Sequence, residues 1–440
     1  MAEAVGAAPA GAVNIPADVK RHRTYALIIL TLIYMSSHLD RSIVGILAQP
    51  IKEDLGLNDK QIGIVGGFAF AMFYATLGIP LALLADRTNR RNIIAVAVAV
   101  WSAMTAVCGL ANNFTQLVLA RIGVGVGEAG SSPQSHSMIA DMYAPHERSR
   151  AMAVYSLGVP FGIMLGFLIG GYVSTHWGWR TAFFVAGVPG VILSLLVWLT
   201  VREPQRGLAD GLTVARTPPS LAETLASLRT AFVFMWRSKA ARHVVIGLTL
   251  TAFVGYGATL LGAAFIERTH GISRAQIGLI LGPIAGIVGA IGTYMGGYLA
   301  DRLARRDLKW NAWIIGLAKF AAAPLIFAFY LIDEFLIALI FYFPAVLLGA
   351  FYLGPSFAMI QSVAPVAIRA TAAAITLLIL NFIALGFGPV FVGFLSDDVF
   401  SAYGKDSLRY ALMATSVINV WAGIHFMLAG PAYKREMTKA

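Results

Sequence analysis

Residues 61–91, QIGIVGGFAFAMFYATLGIPLALLADRTNRR, return in diverged form at residues 276–306 as QIGLILGPIAGIVGAIGTYMGGYLADRLARR. Gln61-Ile62-Gly63 aligns with Gln276-Ile277-Gly278, and Leu84-Ala85-Asp86-Arg87 with Leu299-Ala300-Asp301-Arg302. Arg90-Arg91 aligns with Arg305-Arg306. A second echo pairs Ala144-Pro145 with Ala364-Pro365 and Leu165-Gly166 with Leu385-Gly386. Each copy opens with an apolar run long enough to cross a bilayer, which takes about 20 residues, and closes on a basic cluster. The chain therefore reads as one membrane-spanning unit used twice in the same sense.

Composition agrees. Of the 440 residues 58% are hydrophobic and only 12% charged, with a mean hydropathy of +0.74. A soluble domain carries about 25% charged residues, so the polar surface here is too small to cover a water-facing body. Twelve apolar segments are expected, near 24–50, 62–85, 92–112, 114–138, 149–174 and 181–201, then 243–266, 275–299, 311–331, 335–361, 369–396 and 408–430. The fold class is an all-α polytopic membrane protein of twelve transmembrane helices in two pseudo-symmetric six-helix bundles. Residues 1–23 read as a disordered tail without the order of a signal peptide. The bundles occupy 24–201 and 243–430, and 431–440 is a second tail. The linker 202–242 contains RTPPS and then LAETLASLRTAFVFMWRSKAAR, whose pattern predicts an amphipathic helix on the membrane surface. A lone Cys108 excludes a disulfide framework and any cysteine metal site.

The formal charge of +11 does not point to nucleic acid. With both termini cytoplasmic, 23 of the 33 Lys and Arg fall in cytoplasmic segments and seven outside, while the acids divide almost evenly. Such a bias in the bases alone is the positive-inside rule, and it places both termini in the cytoplasm of an inner or plasma membrane.

Five charged residues lie well inside the spans: Asp40, Arg41, Arg121, Glu128 and Lys319. A charge near the bilayer centre costs about 2.5–3.5 kcal/mol on insertion scales, so one that persists has a partner or a function. At 1.5 Å per residue Arg41 and Arg121 sit about 6–7 Å outward of the middle of their spans, and Glu128 about 3 Å inward. Arg121 and Glu128 are seven apart and share one helix face. Asp40–Arg121 and Arg41–Glu128 pairs are both possible, and they would form a neutral cluster that conformation can rearrange. A carboxylate whose partner changes with conformation couples proton binding to transport. His38, two residues before Asp40, is a candidate relay on a different face. Lys319, alone in the ninth span, is expected to snorkel toward the edge. The glycine-rich ARIGVGVGEAG lies within a span and follows no strand, so it is helix packing rather than a dinucleotide fingerprint.

The doubled LADRTNRR/GGYLADRLARR loop resembles the cytoplasmic signature of the major facilitator superfamily, and WGWRTAFFVAGVPG is similar to a further family pattern. The first copy departs from the signature with Ala82 and Asn89 at its two glycines, and asparagine tolerates the left-handed backbone of a turn. The resemblance implies transport by alternating access, with a cavity between the bundles. It also implies a conformational latch formed by Asp86, Arg87, Arg90, Arg91, Asp301, Arg302 and Arg305; their competing role is simply to fix orientation. Within the superfamily, HLDRSIVGILAQPIKEDLGLNDKQIG with ARIGVGVGEAG looks most like the spinster group. That resemblance implies a sphingolipid or lysophospholipid substrate, with Asp40, Arg41 and Glu128 at the group's intramembrane charged positions. The repeated glycines of LGVPFGIMLGFLIGGY are similar to the antiporter motif of efflux pumps. An organic-anion:proton symporter and a drug/proton antiporter therefore remain alternatives. Tyr256, Thr259 and Asn381 are candidate cavity residues in an otherwise apolar lining. No metal, nucleophile–base pair or catalytic domain is legible, so no enzyme activity is expected. The expected partners are the amphiphilic substrate, protons and membrane lipids. The proton gradient takes the place of any cofactor, and a monomer suffices.

Overall fold

The computed structural model describes residues 17–210 and 221–438. The described residues are helical in every element, with no strand. The first half contains α1 (Ala17–Leu55), α2 (59–87), α3 (Arg90–Cys108), α4 (Phe114–Glu128 continued by Ser132–Met142), α5 (145–177) and α6 (179–200). A surface helix, Leu221–Arg237, follows. The second half contains α7 (Lys239–His270), α8 (Arg274–Ala304), α9 (Trp310–Leu331), α10 (Phe335–Val363), α11 (Arg369–Val399) and α12 (407–437). Among the described residues ten continuous helices are long and apolar enough to cross a membrane. One of them, Pro145–Thr200, is two spans joined at Gly178, where φ is 83°. The fourth span is broken by a turn at Ala129, Gly130 and Ser131 and so is not one continuous helix. Twelve spans follow.

The repeat is visible at its first turn. Asn58 and Gln61 form a reciprocal capping box at the start of α2, and Ser273 and Gln276 form one at the equivalent start of α8; each box satisfies two backbone donors that a helix start leaves open. Two residues on, both copies place a glycine against a backbone of the other half. A Cβ on Gly63 would lie 2.6 Å from the Pro389 carbonyl oxygen of α11. One on Gly278 would lie 2.3 Å from the Phe167 carbonyl oxygen of α5. Without side chains in the way the helices touch along their backbones, as small residues permit in membranes.

The same end is closed by polar contacts. Asp59 accepts two hydrogen bonds from Arg268, at 2.6 and 2.7 Å, one from Lys52 at 2.8 Å and one from Ser396 at 2.7 Å. The Lys60 amide donates to Asp397 at 2.7 Å and its ammonium to Asp398 at 2.8 Å. The Ala275 amide donates to Thr175 at 3.1 Å. These hydrogen bonds between the halves gather at one end. The opposite end is the one where α1 begins and α12 finishes.

Three boundaries differ from the sequence reading. Residues 17–23 are helical rather than tail, because Arg23 is held by Glu147 through bonds of 2.6 and 3.0 Å. Residues 431–437 continue α12, because Lys434 reaches Asp307 at 2.9 Å and Glu436 accepts from Ser238 at 2.6 Å and the Ala240 amide at 3.1 Å. Asn89 is not left-handed: with φ −77° and ψ 113° it is the extended N-cap of α3 and accepts from the Asn92 amide. The surface helix buries Ala231 and Met235 against the second half and exposes Leu225, Phe232 and Trp236. The RTPPS segment at 216–220 lies outside the described residues.

Gly278→Val is expected to push α8 off α5 at the closed end. Forcing extra volume into a packed contact costs about 1–3 kcal/mol, so the melting temperature falls. Spin labels on the closed ends of α5 and α8 move apart in double electron–electron resonance. An unchanged label distance would show that this contact does not hold the end shut.

Candidate proton and substrate site

Asp40 and Arg41 come from α1, Arg121 and Glu128 from one face of α4, and Phe70 and Tyr74 from α2. Nε of Arg41 donates to Glu128 Oε2 at 2.7 Å, and Nη2 forms an ion pair with the same oxygen at 2.6 Å. Of the two pairs open to the sequence, this one forms. The other does not. Asp40, fully buried, instead accepts from the Thr105 hydroxyl of α3 at 3.1 Å. Arg121, also fully buried, donates through Nε to the Val65 carbonyl at 3.3 Å. Val65 lies in a π-helical turn, Ile64–Phe68, whose wider register alters the usual i to i−4 bonding and frees acceptors for side chains. The Phe70 ring lies 4.8 Å from the Arg41 guanidinium and 5.3 Å from that of Arg121, and the Tyr74 ring 4.5 Å from Arg41. Aromatic faces thus share the load of two buried cations.

The cluster is unfinished. Asp40 Oδ1, Glu128 Oε1 and both terminal nitrogens of Arg121 are buried with no hydrogen-bond partner. Buried polar atoms rarely go unpaired, and each such atom calls for a ligand, a proton or a water. His38 stands apart from it. Its Nδ1 lies 3.0 Å from the Tyr34 carbonyl and 3.3 Å from the Ser37 hydroxyl, its ring is edge-on to Tyr34, and its Cβ faces Gly162 of α5.

The two signature loops have unlike surroundings. Arg90, 1% exposed, donates to Asp141 at 2.5 Å, Glu203 at 2.7 Å, Ser137 at 2.7 Å and the Pro204 carbonyl at 2.9 Å. The Arg91 amide bonds Glu203 at 2.9 Å. This ties α3, α4 and the segment after α6 within one half. Arg87 is exposed, and the Asp86 side chain lies outside the described residues. In the second copy Arg302 donates to the Tyr298 hydroxyl at 3.2 Å. Asp301 and Arg305 are exposed and form no ion pair among the described residues.

A cavity of about 380 Å³ lies in the second half, with α5 as one wall. Thr259 lines it. Asn381 and Tyr256 do not: the Asn381 amide donates to the Leu377 carbonyl of its own helix at 2.8 Å, and Tyr256 packs against the two hydrophobic cores. Lys319 does line it, which corrects the snorkelling expectation. The residue is 3% exposed, its ammonium donates to the Gly349 carbonyl at 2.8 Å, and it lies 4.8 Å from the Tyr352 ring. Gly349 closes the α-helical part of α10 before a 3-10 turn, Ala350–Tyr352, so its carbonyl is available to an inward-pointing lysine.

The sequence pattern of the Major Facilitator Superfamily matches residues 30–389. The chain belongs to that superfamily. It is 33% identical over 410 residues to an MFS-type efflux pump of Mycolicibacterium smegmatis, covering 93% of each chain. It is 24% identical over 445 residues to Protein spinster homolog 1 of Xenopus tropicalis, covering 96% of this chain and 83% of the relative. A crystal structure of a bacterial homologue of the human lysosomal transporter spinster, inward-facing and unoccupied, superposes with a TM-score of 0.83 at 31% identity. That match covers 95% of this chain and 98% of the other. The protein is a multi-pass membrane transporter of the spinster-like kind and not an enzyme.

Removing one partner of a buried ion pair costs about 3–5 kcal/mol, because the other charge is left uncompensated, whereas removing both can be nearly neutral. Arg41→Met and Glu128→Leu are each expected to destabilise the purified protein by that order in SDS unfolding, and the double variant by less than either. Simple additivity would show that the pair is not energetically coupled.

Proposed function

We propose that this transporter moves a lipid-like amphiphile of the sphingolipid or lysophospholipid class by alternating access, driven by the proton gradient. The observation that carries the proposal is the pair of buried carboxylates, Asp40 and Glu128, each with one unpartnered oxygen beside an arginine. When the halves rock, the access of water and substrate to these acids changes, while Thr105 and Arg41 stay beside them in the same half. Proton affinity then changes with the side to which the cavity opens. Similarity to a spinster homologue and to an efflux pump supports an amphiphilic substrate. So does the contact of α5 with α8: their close glycine approaches end at Gly286, next to Pro160 and Met164. Beyond that point α8 exposes Ile287, Ile291, Tyr294 and Tyr298, and α5 exposes Leu157 and Phe161. An apolar tail has a path there.

With both termini cytoplasmic, the closed end is external and this conformation faces inward. The latch residues Asp86, Arg87, Arg90, Arg91, Asp301, Arg302 and Arg305 then border the open side and engage when it closes. Protons are the only co-substrate, no cofactor is needed, and the monomer is the working unit.

The test is uptake into proteoliposomes under an imposed pH gradient, with a labelled lysophospholipid and a small organic anion as substrates. The gradient should drive lysophospholipid movement. Asp40→Asn should abolish that drive while exchange survives, and Glu128→Gln should weaken it at least tenfold. Movement of the organic anion alone would replace the lipid reading with organic-anion symport. Transport indifferent to gradient and mutations would make the cluster a static tie between α1 and α4.

A further inference from the structure

We propose that the cavity of the second half is a head-group site, in which Lys319 takes the carboxylate or phosphate of an anionic substrate. The inference rests on the transport reading above and narrows it to substrates that carry a negative charge.

Lys319 has three ammonium donors. One is used by the Gly349 carbonyl, and the Tyr352 ring meets the charge from the side. No carboxylate lies among the residues that line the cavity, and Lys319 forms no ion pair among the described residues. A buried ammonium without a counter-ion is among the most expensive groups a membrane protein can hold. The Gly349 bond alone is a poor reason to keep one, since a neutral donor would serve that carbonyl as well.

The neighbours point the same way. Thr251, 4% exposed, lines the cavity and its hydroxyl has no partner. Tyr330 and Tyr342 add phenols to the lining. Lys319, Thr251 and the phenols together make a donor-rich pocket with one net positive charge. A cation would be repelled from it. A neutral ligand would leave the ammonium uncompensated.

The site also touches both halves. Phe167 and Ile163 of α5 form part of the wall, and the Phe167 carbonyl is the atom against which Gly278 packs at the closed end. A head group on Lys319 therefore lies against the helix that must move when the halves rock, so occupancy and conformation are linked.

The test is binding to the full chain in nanodiscs, using palmitoyl lysophosphatidic acid, monopalmitoylglycerol (the same chain and glycerol without the phosphate) and gluconate. Lys319→Gln should weaken lysophosphatidic acid at least tenfold and leave monopalmitoylglycerol within twofold. Lys319→Arg should recover most of the loss, and Thr251→Val should cost a smaller, charge-selective fraction. Equal weakening of both lipids by Lys319→Gln would overturn the proposal and make the lysine a tie between α9 and α10. So would wild-type protein that binds both lipids equally, and in that case the amphiphile reading stands without the head-group site. If wild type binds gluconate and neither lipid, and Lys319→Gln abolishes this, the anion site stands and the lipid reading falls. Failure to bind any of the three overturns both.

Discussion

Backbone contact between halves, made possible by glycine at equivalent points of the repeat, closes one end of this molecule. Gly63 on α2 meets α11 and Gly278 on α8 meets α5, so the repeat supplies the same joint twice. A joint of this type has no long side chains to disentangle. It holds by van der Waals contact and by the polar network on Asp59, and both can be released as a unit. A machine that must open there repeatedly needs a closure that is tight yet free of interlocked side chains, and the membrane gives no hydrophobic drive between helices to do it otherwise. The hydrogen bonds between the halves named above gather at this one end, which suits a joint that is made and released as a whole.

The buried charges follow a different logic. An Arg41–Glu128 pair alone would be a poor way to stabilise α1 against α4, because desolvation offsets most of the attraction. What separates this cluster from simple glue is its remainder. Asp40 is buried with half of its carboxylate unused, and Arg121 with both terminal nitrogens unused. The Phe70 ring lies against both guanidinium groups and helps them coexist although only one of them forms an ion pair. Such an arrangement leaves buried acceptor and donor atoms that a proton or an anion could satisfy, which is the basis of the coupling proposed above.

The sequence made the architecture legible because duplication and apolar run length survive in a linear reading. The charged positions in α1 and α4 were legible too, since a charge in an apolar run stands out. Partner choice was not. Whether Asp40 meets Arg121 or Thr105 depends on the rotation of α1 and α3, which spacing along one helix does not specify. Arg90 finds Asp141 and Glu203 from distant parts of the chain, so its network is invisible to motif reading. The inward turn of Lys319 is not legible either, because depth along a helix says nothing of the Gly349 carbonyl on the neighbouring helix. The helical ends at 17–23 and 431–437 escaped notice because hydropathy marks where the bilayer ends, not where the helix does.

These separate features converge on α5. Its glycines pack it against α1 near His38, its Phe167 carbonyl meets Gly278 of α8, and its side chains wall the cavity that holds Lys319. The acidic cluster belongs to the first half and the lone buried lysine to the second, with no shared hydrogen bond between them. Any communication between proton and substrate must therefore pass through the relative position of the halves rather than through a wire of side chains. On the proposed coupling, a single helix in contact with α1 on one face and the cavity on another is the direct mechanical route the fold offers.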